Sequence, residues 1–526
     1  MPHARYRPTF WSGLAFLGLS LPWLNPFSPG PSPNVVPWLV SLVGLACMLA
    51  WLARARPRQL GALVASAWLV AALVSAVLGL LQYFGATGAL SPWVNPTGLG
   101  EAYANLRQRN QFATLTNIGL AALLWWQAQS RAPASLTAEP RRAALPGWRS
   151  WAALGAALLL AAGNAASSSR TGLVQLLLLT LLAVVWRVPG RSWRQPALGL
   201  LLVAVLAYAG AAVALPLLLG QDLQAVGMLA RLQLGDSACA SRLTLWSNVL
   251  HLIAQRPWLG WGWGELDYAH FITLYPGLRF CAILDNAHNL PLHLAVELGL
   301  PLAVAVCAAG LWLMGRAKPW RERCATRQLA WAVLALILLH SLLEYPLWYG
   351  PFQVASGLCI WLLWRLPARA AAAQPPRLPA GAAPASSQEF KPFGPLALVL
   401  SASIAILIVA FAGAAAWDYQ RVSQLYLSPS LRAQAYRVQP LAKIQRSWLF
   451  QDQLRFAALT TTALTPANAA QLHQQALAML HFSPEPRVIE KLIDSALLLG
   501  RPEEAQFYGK RYQAAFPERQ GADATP

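Results

Sequence analysis

Acidic residues are scarce: 20 Asp and Glu stand against 40 Lys and Arg in 526 residues, and charged types make up only 11% of the chain while apolar types make up 56%. A soluble globule of this length needs more polar surface than that, so the composition excludes one and points to a polytopic membrane protein. A net charge of +20 would suggest nucleic acid in a soluble chain. Here the basic residues sit in short clusters between apolar runs, the pattern of cytoplasmic loops, and no nucleic-acid partner is expected. Cysteine is also sparse, with six residues scattered without metal-ligand spacing. No H-E-x-x-H, G-x-x-x-x-G-K-[ST] or G-x-S-x-G motif occurs, nor a D-x-D pair of the kind that holds a metal for nucleotide sugars. Glu265 and Asp267 are the only acids two apart in the loops opposite the basic ones, and neither a metal nor a cofactor is expected. Arg5 and Arg7 precede the first apolar run without a small-residue cleavage pattern behind it, which reads as an uncleaved first span.

What the chain has in abundance is apolar runs, near 10–26, 37–53, 61–82, 111–128, 150–165, 171–187, 196–218, 289–314, 328–343, 352–366 and 395–416. They predict an all-α polytopic membrane protein with about eleven transmembrane helices. Basic clusters occupy every second loop: Arg54 to Arg58, Arg131 to Arg149, Arg187 to Arg194, Arg316 to Arg327 and Arg365 to Lys391. That alternation places the N-terminus inside and the C-terminus outside. The expected division is a transmembrane core at 1–366 with one long periplasmic loop at 219–288, a Pro/Ala-rich cytoplasmic linker at 367–394, a last span at 395–416 and a periplasmic helical region at 417–526. Within that tail, residues 488–512 look like a helix, a Gly turn and a second helix of tetratricopeptide type. One such unit cannot bury its own face, so it packs on neighbours or on a partner, a plain helical cap being the simpler reading.

The outward loops hold the unusual residues. In the long loop, P-W-L-G-W-G-W-G-E-L-D-Y (257–268) mixes Trp and Gly, which suits the membrane interface and also the stacking of sugar faces. Whether Cys239 and Cys281 pair there stays open. At 108–113, Q-R-N-Q-F-A puts Gln108, Arg109 and Asn110 at the start of a span, where capping and snorkelling explain Asn110 better than the other two. S-S-S-R-T-G (167–172) sets Arg170 at a bilayer boundary, where it needs a partner or an anion. Arg242 opens an amphipathic stretch, and a solvated role there would be unremarkable. Glu344 and Tyr345 end a span, and a carboxylate at a helix C-terminus needs a cationic partner or a function; a salt bridge to one of the arginines is the simpler account.

Chemistry is expected at Asp285 to Pro301, where a polar cluster runs into an apolar helix. Pro291 fits a first helical turn, and Asp285, Asn286 or Asn289 can cap it. His288 then sits at or just before a helix N-terminus, whose dipole disfavours a second proton on imidazole and favours a nearby anion. His293 and Glu297, four apart, can satisfy each other on one helix face.

With these residues the chain resembles bacterial O-linked protein oligosaccharyltransferases of the pilin-glycosylating type, relatives of the O-antigen ligases and polymerases. The resemblance rests on H-N-L-P-L-H-L-A-V-E-L-G-L-P after a long loop, on Q-R-N-Q-F-A, on S-S-S-R-T-G, on E-Y-P at 344–346 and on the helical tail. It implies en bloc transfer of a glycan from undecaprenyl pyrophosphate to a Ser or Thr hydroxyl of a periplasmic, pilin-like acceptor at the bacterial inner membrane. It also implies His288 as the catalytic residue, Arg170 and Arg242 as ligands of the pyrophosphate, with Arg109 beside them, and functional roles for Gln108 and Tyr345; Asn110, Asn289 and Glu344 complete the candidates. The alternatives are an O-antigen ligase acting on the lipid A core, an O-antigen polymerase and, from another class, a transporter or flippase.

Overall fold

The computed structural model describes residues 10–52, 57–129, 147–187, 196–221, 227–228, 231, 237–366 and 395–517. Regular structure among them is helical, with no strand. Seven helices come first: α1 (Phe10–Leu24), α2 (Val35–Leu52), α3 (Pro57–Tyr83), α4 (Arg109–Gln129), α5 (Trp148–Ala166), α6 (Arg170–Val185) and α7 (Pro196–Leu218). The long loop carries α8 (Arg242–Gln255) and α9 (Leu266–Ile272). Then follow α10 (Leu290–Leu298), α11 (Leu300–Ala317), α12 (Ala325–Ser341), α13 (Gly350–Arg365) and α14 (Pro395–Ser423). The tail adds α15 (Pro440–Lys443), α16 (Gln451–Thr461), α17 (Ala469–Met479), α18 (Pro486–Leu498) and α19 (Pro502–Ala515).

Five described stretches are long and apolar enough to cross a membrane: Val35–Leu52, Gln59–Tyr83, Ala197–Leu218, Leu300–Arg321 and Leu396–Tyr426. Helices α1, α6 and α12 are apolar but shorter. Helix α4 is different in kind, because it packs against α3, α5, α6 and α12 and buries Gln111, Thr114, Thr116 and Asn117. A helix surrounded by protein needs no lipid-facing surface, and its polar groups find partners on its neighbours. Thr114 Oγ1 lies 3.0 Å from His340 Nδ1 on α12, and Gln175 Nε2 on α6 donates to Thr114 Oγ1 at 3.0 Å and to the Leu336 carbonyl at 2.9 Å. Asn117 Nδ2 reaches the Gly172 carbonyl at 3.0 Å. Interhelical bonds of this sort contribute about 0.6 kcal/mol each in membrane proteins and fix which faces meet.

The apolar run expected as one span at 289–314 is broken at Gly299 (φ +86°) into α10 and α11. Pro301 has no N–H to continue the ladder, and its ring would strike the carbonyl four residues back. The backbone groups freed at the break are met by the Trp/Gly segment of the long loop. Trp261 N donates to Val296 O at 2.9 Å, Gly262 N to Glu297 O at 3.0 Å, and Leu300 N to Pro257 O at 2.8 Å. Main chains approach so closely that a Cβ on Gly299 would stand 2.1 Å from the Trp258 carbonyl oxygen. The long apolar helix therefore starts at Leu300, and the run before it is a separate short helix at the mouth of the site.

The loop has its own core, built from Leu245, Val249 and Leu252 of α8, Leu266 of α9 and Val296 of α10. Cys239 and Cys281 form a disulfide with Cα atoms 5.3 Å apart. The tail packs on this loop: Phe271 and Tyr268 join a core with Phe456, Leu472, Met479, Ile489 and Leu492. Tyr268 stacks on His481 at 3.9 Å, and Arg511 Nε donates to the Ile272 carbonyl at 2.7 Å. The helix-Gly-helix unit is α18, Gly500 (φ +70°) and α19, with its apolar face covered by α17 and α9. The expected Pro/Ala linker at 367–394 lies outside the described residues.

Gly299→Ala puts a methyl group against the Trp258 carbonyl at a left-handed φ, and is expected to destabilise the protein by about 2 to 3 kcal/mol. Gly310→Ala, inside α11 with nothing within 4 Å of the added carbon, is neutral or stabilising. Thermal unfolding of the detergent-purified pair checks the contrast.

Candidate active site at one rim of the bundle

Several turns are tied together at one end of the helices. The connection from α3 to α4 is organised by Gln82, a lone fully buried amide near the end of an otherwise apolar helix. Its Nε2 donates to the carbonyls of Asn95 and Ala104, both at 2.8 Å, and its Oε1 accepts from the amides of Tyr103 (3.1 Å) and Ala104 (2.6 Å). Asn105 and Arg107 reach back to the turn after α1, donating to Leu24 O at 2.8 Å and Pro26 O at 2.6 Å. Gln108 and Asn110 are thereby held at the first turn of α4.

Next to them stands the turn between α5 and α6. Ser169 caps α6 by accepting from Gly172 N at 3.0 Å, and its hydroxyl donates to Asn110 Oδ1 at 2.6 Å. Arg170, half-buried, is the first residue of α6. Arg231 from the long loop donates to the Ser168 carbonyl at 3.1 Å.

Helix α8 contributes two side chains one turn apart. Arg242 Nε donates to the Leu343 carbonyl at 3.1 Å, beyond the end of α12, and Trp246 Nε1 donates to the Ala287 carbonyl at 3.1 Å. The residue after Ala287 is His288, in a left-handed conformation (φ +49°), with its amide donating to Asn286 Oδ1 at 2.9 Å. Of the three possible caps for α10, Asn289 is the one used: its Oδ1 accepts from Leu292 N at 3.1 Å while its Nδ2 donates to Leu342 O at 3.0 Å.

These elements converge on the carboxylate of Glu344, whose side chain is 6% exposed. Oε2 lies 2.7 Å from His288 Nδ1 and accepts from Gln108 Nε2 at 3.4 Å. Oε1 accepts from Arg242 Nη2 and from Asn110 Nδ2, the latter at 3.1 Å. Burial by itself would raise this carboxyl, but the hydrogen bond and charge of His288 and those of Arg242 outweigh it and hold Glu344 at about 2. An acceptor at Nδ1 puts the imidazole proton on that nitrogen and leaves Nε2 for another group. The His288 ring meets the edge of Tyr345 at 5.0 Å, and Tyr345 stacks on Tyr349 at 5.9 Å. Burial raises the Tyr345 phenol above its ordinary range, so it stays an O–H donor. Further along, Trp348 stacks parallel to Trp263 at 6.1 Å, and Trp263 is 62% exposed.

The structure thus gathers Gln108, Asn110, Arg242 and His288 around Glu344, with Asn289 and Tyr345 alongside. Arg170 stands on the same rim, one residue from the Ser169 hydroxyl that binds Asn110. Arg109 is directed elsewhere and pairs with Glu101 at 3.3 Å. Buried His293 Nε2 and Glu297 Oε2 approach to 3.4 Å, as their spacing suggests, but without a hydrogen bond to that carboxylate oxygen, so the expected mutual satisfaction is incomplete. Gln82 and Ser169 were not singled out individually from the sequence. A solitary amide in a long apolar run was the available signal for the first, and the N-cap position before R-T-G for the second.

Since Glu344 is held at about 2 against an ordinary 4.5, its charge stabilises the fold fully above pH 4.5, and that contribution is lost as pH falls through about 2. Glu344→Gln removes it, so the wild-type advantage in thermal stability over this variant is expected to shrink between those two values.

Comparison with known proteins follows the chain in order. Protein glycosylation ligases match at 102–126, O-antigen ligases at 155–307, and the C-terminal part of the virulence factor membrane-bound polymerases at 328–525. The first contains Gln108 and Asn110, the second Arg170, Arg242 and His288, and the third Glu344 and Tyr345. A general O-oligosaccharyltransferase of Acinetobacter baylyi is 29% identical over 131 residues, 24% of this chain and 22% of that relative, so the match spans about a fifth of the relative's length. By these matches the chain is similar, in successive stretches, to protein glycosylation ligases, to O-antigen ligases and to membrane-bound polymerases, a likeness that supports the superfamily of O-antigen ligases and protein O-oligosaccharyltransferases.

Proposed function

We propose that the protein is an O-linked oligosaccharyltransferase, moving a preassembled glycan from undecaprenyl pyrophosphate to Ser or Thr hydroxyls of periplasmic proteins such as pilin. The observation that carries this reading is the buried Glu344 carboxylate holding His288 Nδ1 at 2.7 Å and Arg242 beside it, on the rim that also bears Arg170. In this reading the basic loops face the cytoplasm of a bacterial inner membrane, the site opens to the periplasm, and 417–526 is a periplasmic helical domain carried on the last span. His288 Nε2 takes the proton of the acceptor hydroxyl as its oxygen attacks the anomeric carbon. The bond from that carbon to the pyrophosphate oxygen breaks, and the electron pair leaves with the pyrophosphate. Arg170 and Arg242 meet the charge developing on the leaving group. Glu344 steadies the imidazolium that results and fixes the ring's direction, the part a carboxylate plays behind a catalytic imidazole. The aromatic row from Tyr345 to Trp348 and Trp263 gives sugar rings flat apolar faces to lie on.

A ligase acting on the lipid A core uses the same donor chemistry and is the second reading, favoured by the O-antigen ligase match over 155–307. The protein-acceptor reading is preferred on the match of 102–126 to protein glycosylation ligases. Membranes carrying the enzyme and a lipid-linked glycan, offered either a pilin or a lipid A core, separate the two by which acceptor gains mass.

In that assay His288→Gln is expected to lower transfer by about 10² to 10⁴ with the protein still inserted and folded, the range for loss of a general base. Near-normal transfer by this variant would remove His288 from the mechanism. Trp263→Ala is expected to raise KM for a long glycan donor several-fold with kcat little changed, and to leave a monosaccharide donor unaffected. Equal effects on both donors would make Trp263 an interfacial anchor only.

A further inference from the structure

Where the last apolar helix meets the tail there is a cavity of about 350 Å³ lined by Ala414, Trp417, Asp418, Arg421, Arg446, Ser447 and Trp448. No part of the proposed transfer uses it. Its two walls match each other. On α14, Ala414, Trp417 and Arg421 lie at helical spacing on one face. On the tail, Trp448, Ser447 and Arg446 follow in the same order. Arg421 sits over the Trp417 ring at 4.5 Å. Trp448 meets Phe411 edge-on at 5.8 Å, two turns before Asp418 and within the apolar part of the helix. The cavity therefore has small and aromatic apolar groups at its lower end and two guanidiniums at its upper end.

The charges do not cancel. Asp418, 3% exposed, is committed to the joint itself: its Oδ2 accepts from Ser447 Oγ at 2.7 Å, Trp448 N at 2.8 Å and Leu449 N at 3.1 Å. Arg421 lies 3.6 Å from its Oδ1 and donates to the Arg446 carbonyl at 3.4 Å. The Arg446 side chain is exposed and has no partner among the described residues. Two guanidiniums against one carboxylate leave one positive charge at the mouth, the complement of one phosphodiester. No charged residue occurs from Leu396 to Ala416, so the first guanidinium on α14 falls just past the apolar stretch. Bilayers present the same order of groups at the same depth, acyl chain, glycerol and then phosphate.

We infer that this cavity is a binding site for a glycerophospholipid of the surrounding bilayer, with the phosphate between Arg421 and Arg446, the glycerol region between the two indoles and the first acyl carbons against Ala414. The lipid fills the angle between span and tail. This goes beyond glycan transfer and does not depend on it; it rests on α14 crossing a membrane.

The test uses the full-length protein in detergent, delipidated and then titrated with phosphatidylglycerol, with diacylglycerol of the same chains, or with undecaprenyl phosphate, bound lipid being counted by native mass spectrometry. Phosphatidylglycerol is expected to bind at one copy and diacylglycerol not to bind. Arg446→Ala is expected to lower occupancy about fivefold, as for loss of one basic group at a lipid surface, and Arg446→Lys to restore most of it. Because the Arg446 side chain is exposed, these variants are expected to keep the wild-type thermal midpoint. Trp448→Ala weakens phosphatidylglycerol as well. Unchanged occupancy in Arg446→Ala, equal binding of diacylglycerol, or preference for undecaprenyl phosphate over phosphatidylglycerol would each overturn the assignment.

Discussion

One carboxylate away from water sets the terms for the rest of this molecule. A buried charge is tolerable only when opposite charge and hydrogen-bond donors surround it, and removing a single partner is strongly destabilising. Glu344 takes its donors from the start of α4, from α8 and from the residue before the N-cap of α10. No local structure could supply that set. Satisfying Glu344 therefore requires the long loop to fold down onto the bundle and the turn after α12 to face the turn before α4. The fold is specified at this rim by electrostatics, and elsewhere by small residues that let helices approach, as where Gly79 lies beneath the ring of Phe112.

Much of this was legible in the sequence, for identifiable reasons. The apolar runs mark the helices because lipid demands uninterrupted apolar surface, and the alternation of basic loops sorts the turns into two sets. One set of turns meets through Asn110 with Ser169, Arg231 with Ser168 and Asn289 with Leu342. The other set is joined too, through Trp186 with Pro319 and Arg327 with Leu363. The simpler expectation for Glu344, a salt bridge to one of the arginines, holds for Arg242.

What stayed hidden is what depends on contacts between segments distant in sequence. The break at Gly299 escapes a reading of 289–314 by apolar length, which takes the run whole although Gly299 and Pro301 stand in its middle. It becomes stable only with the Pro257 to Gly262 backbone alongside. That Gln108 and Asn110 reach Glu344 while Arg109 reaches Glu101 depends on where α4 begins and on segments distant in sequence, which a motif string does not carry. For Cys239 and Cys281 the spacing permits many geometries, and only the folding of α8 against the following turn brings their Cα atoms within 5.3 Å. The run at 111–128 counts as a span on its apolar length, while its buried polar residues mark it as a helix surrounded by protein.

The seam between the Trp/Gly segment and the broken helix is made of amides and carbonyls, with Gly260 and Gly299 at its closest approaches and the Trp261 indole behind it donating to the Leu252 carbonyl at 3.0 Å. The outward side chains of Trp258 and Leu259 take no part in that seam, so they can be replaced without loosening the ground on which His288 stands. A fixed backbone and a replaceable outer face can then share a few residues of chain. Under the proposed function, such an arrangement lets selection retune what the rim grips while leaving untouched the residues around Glu344.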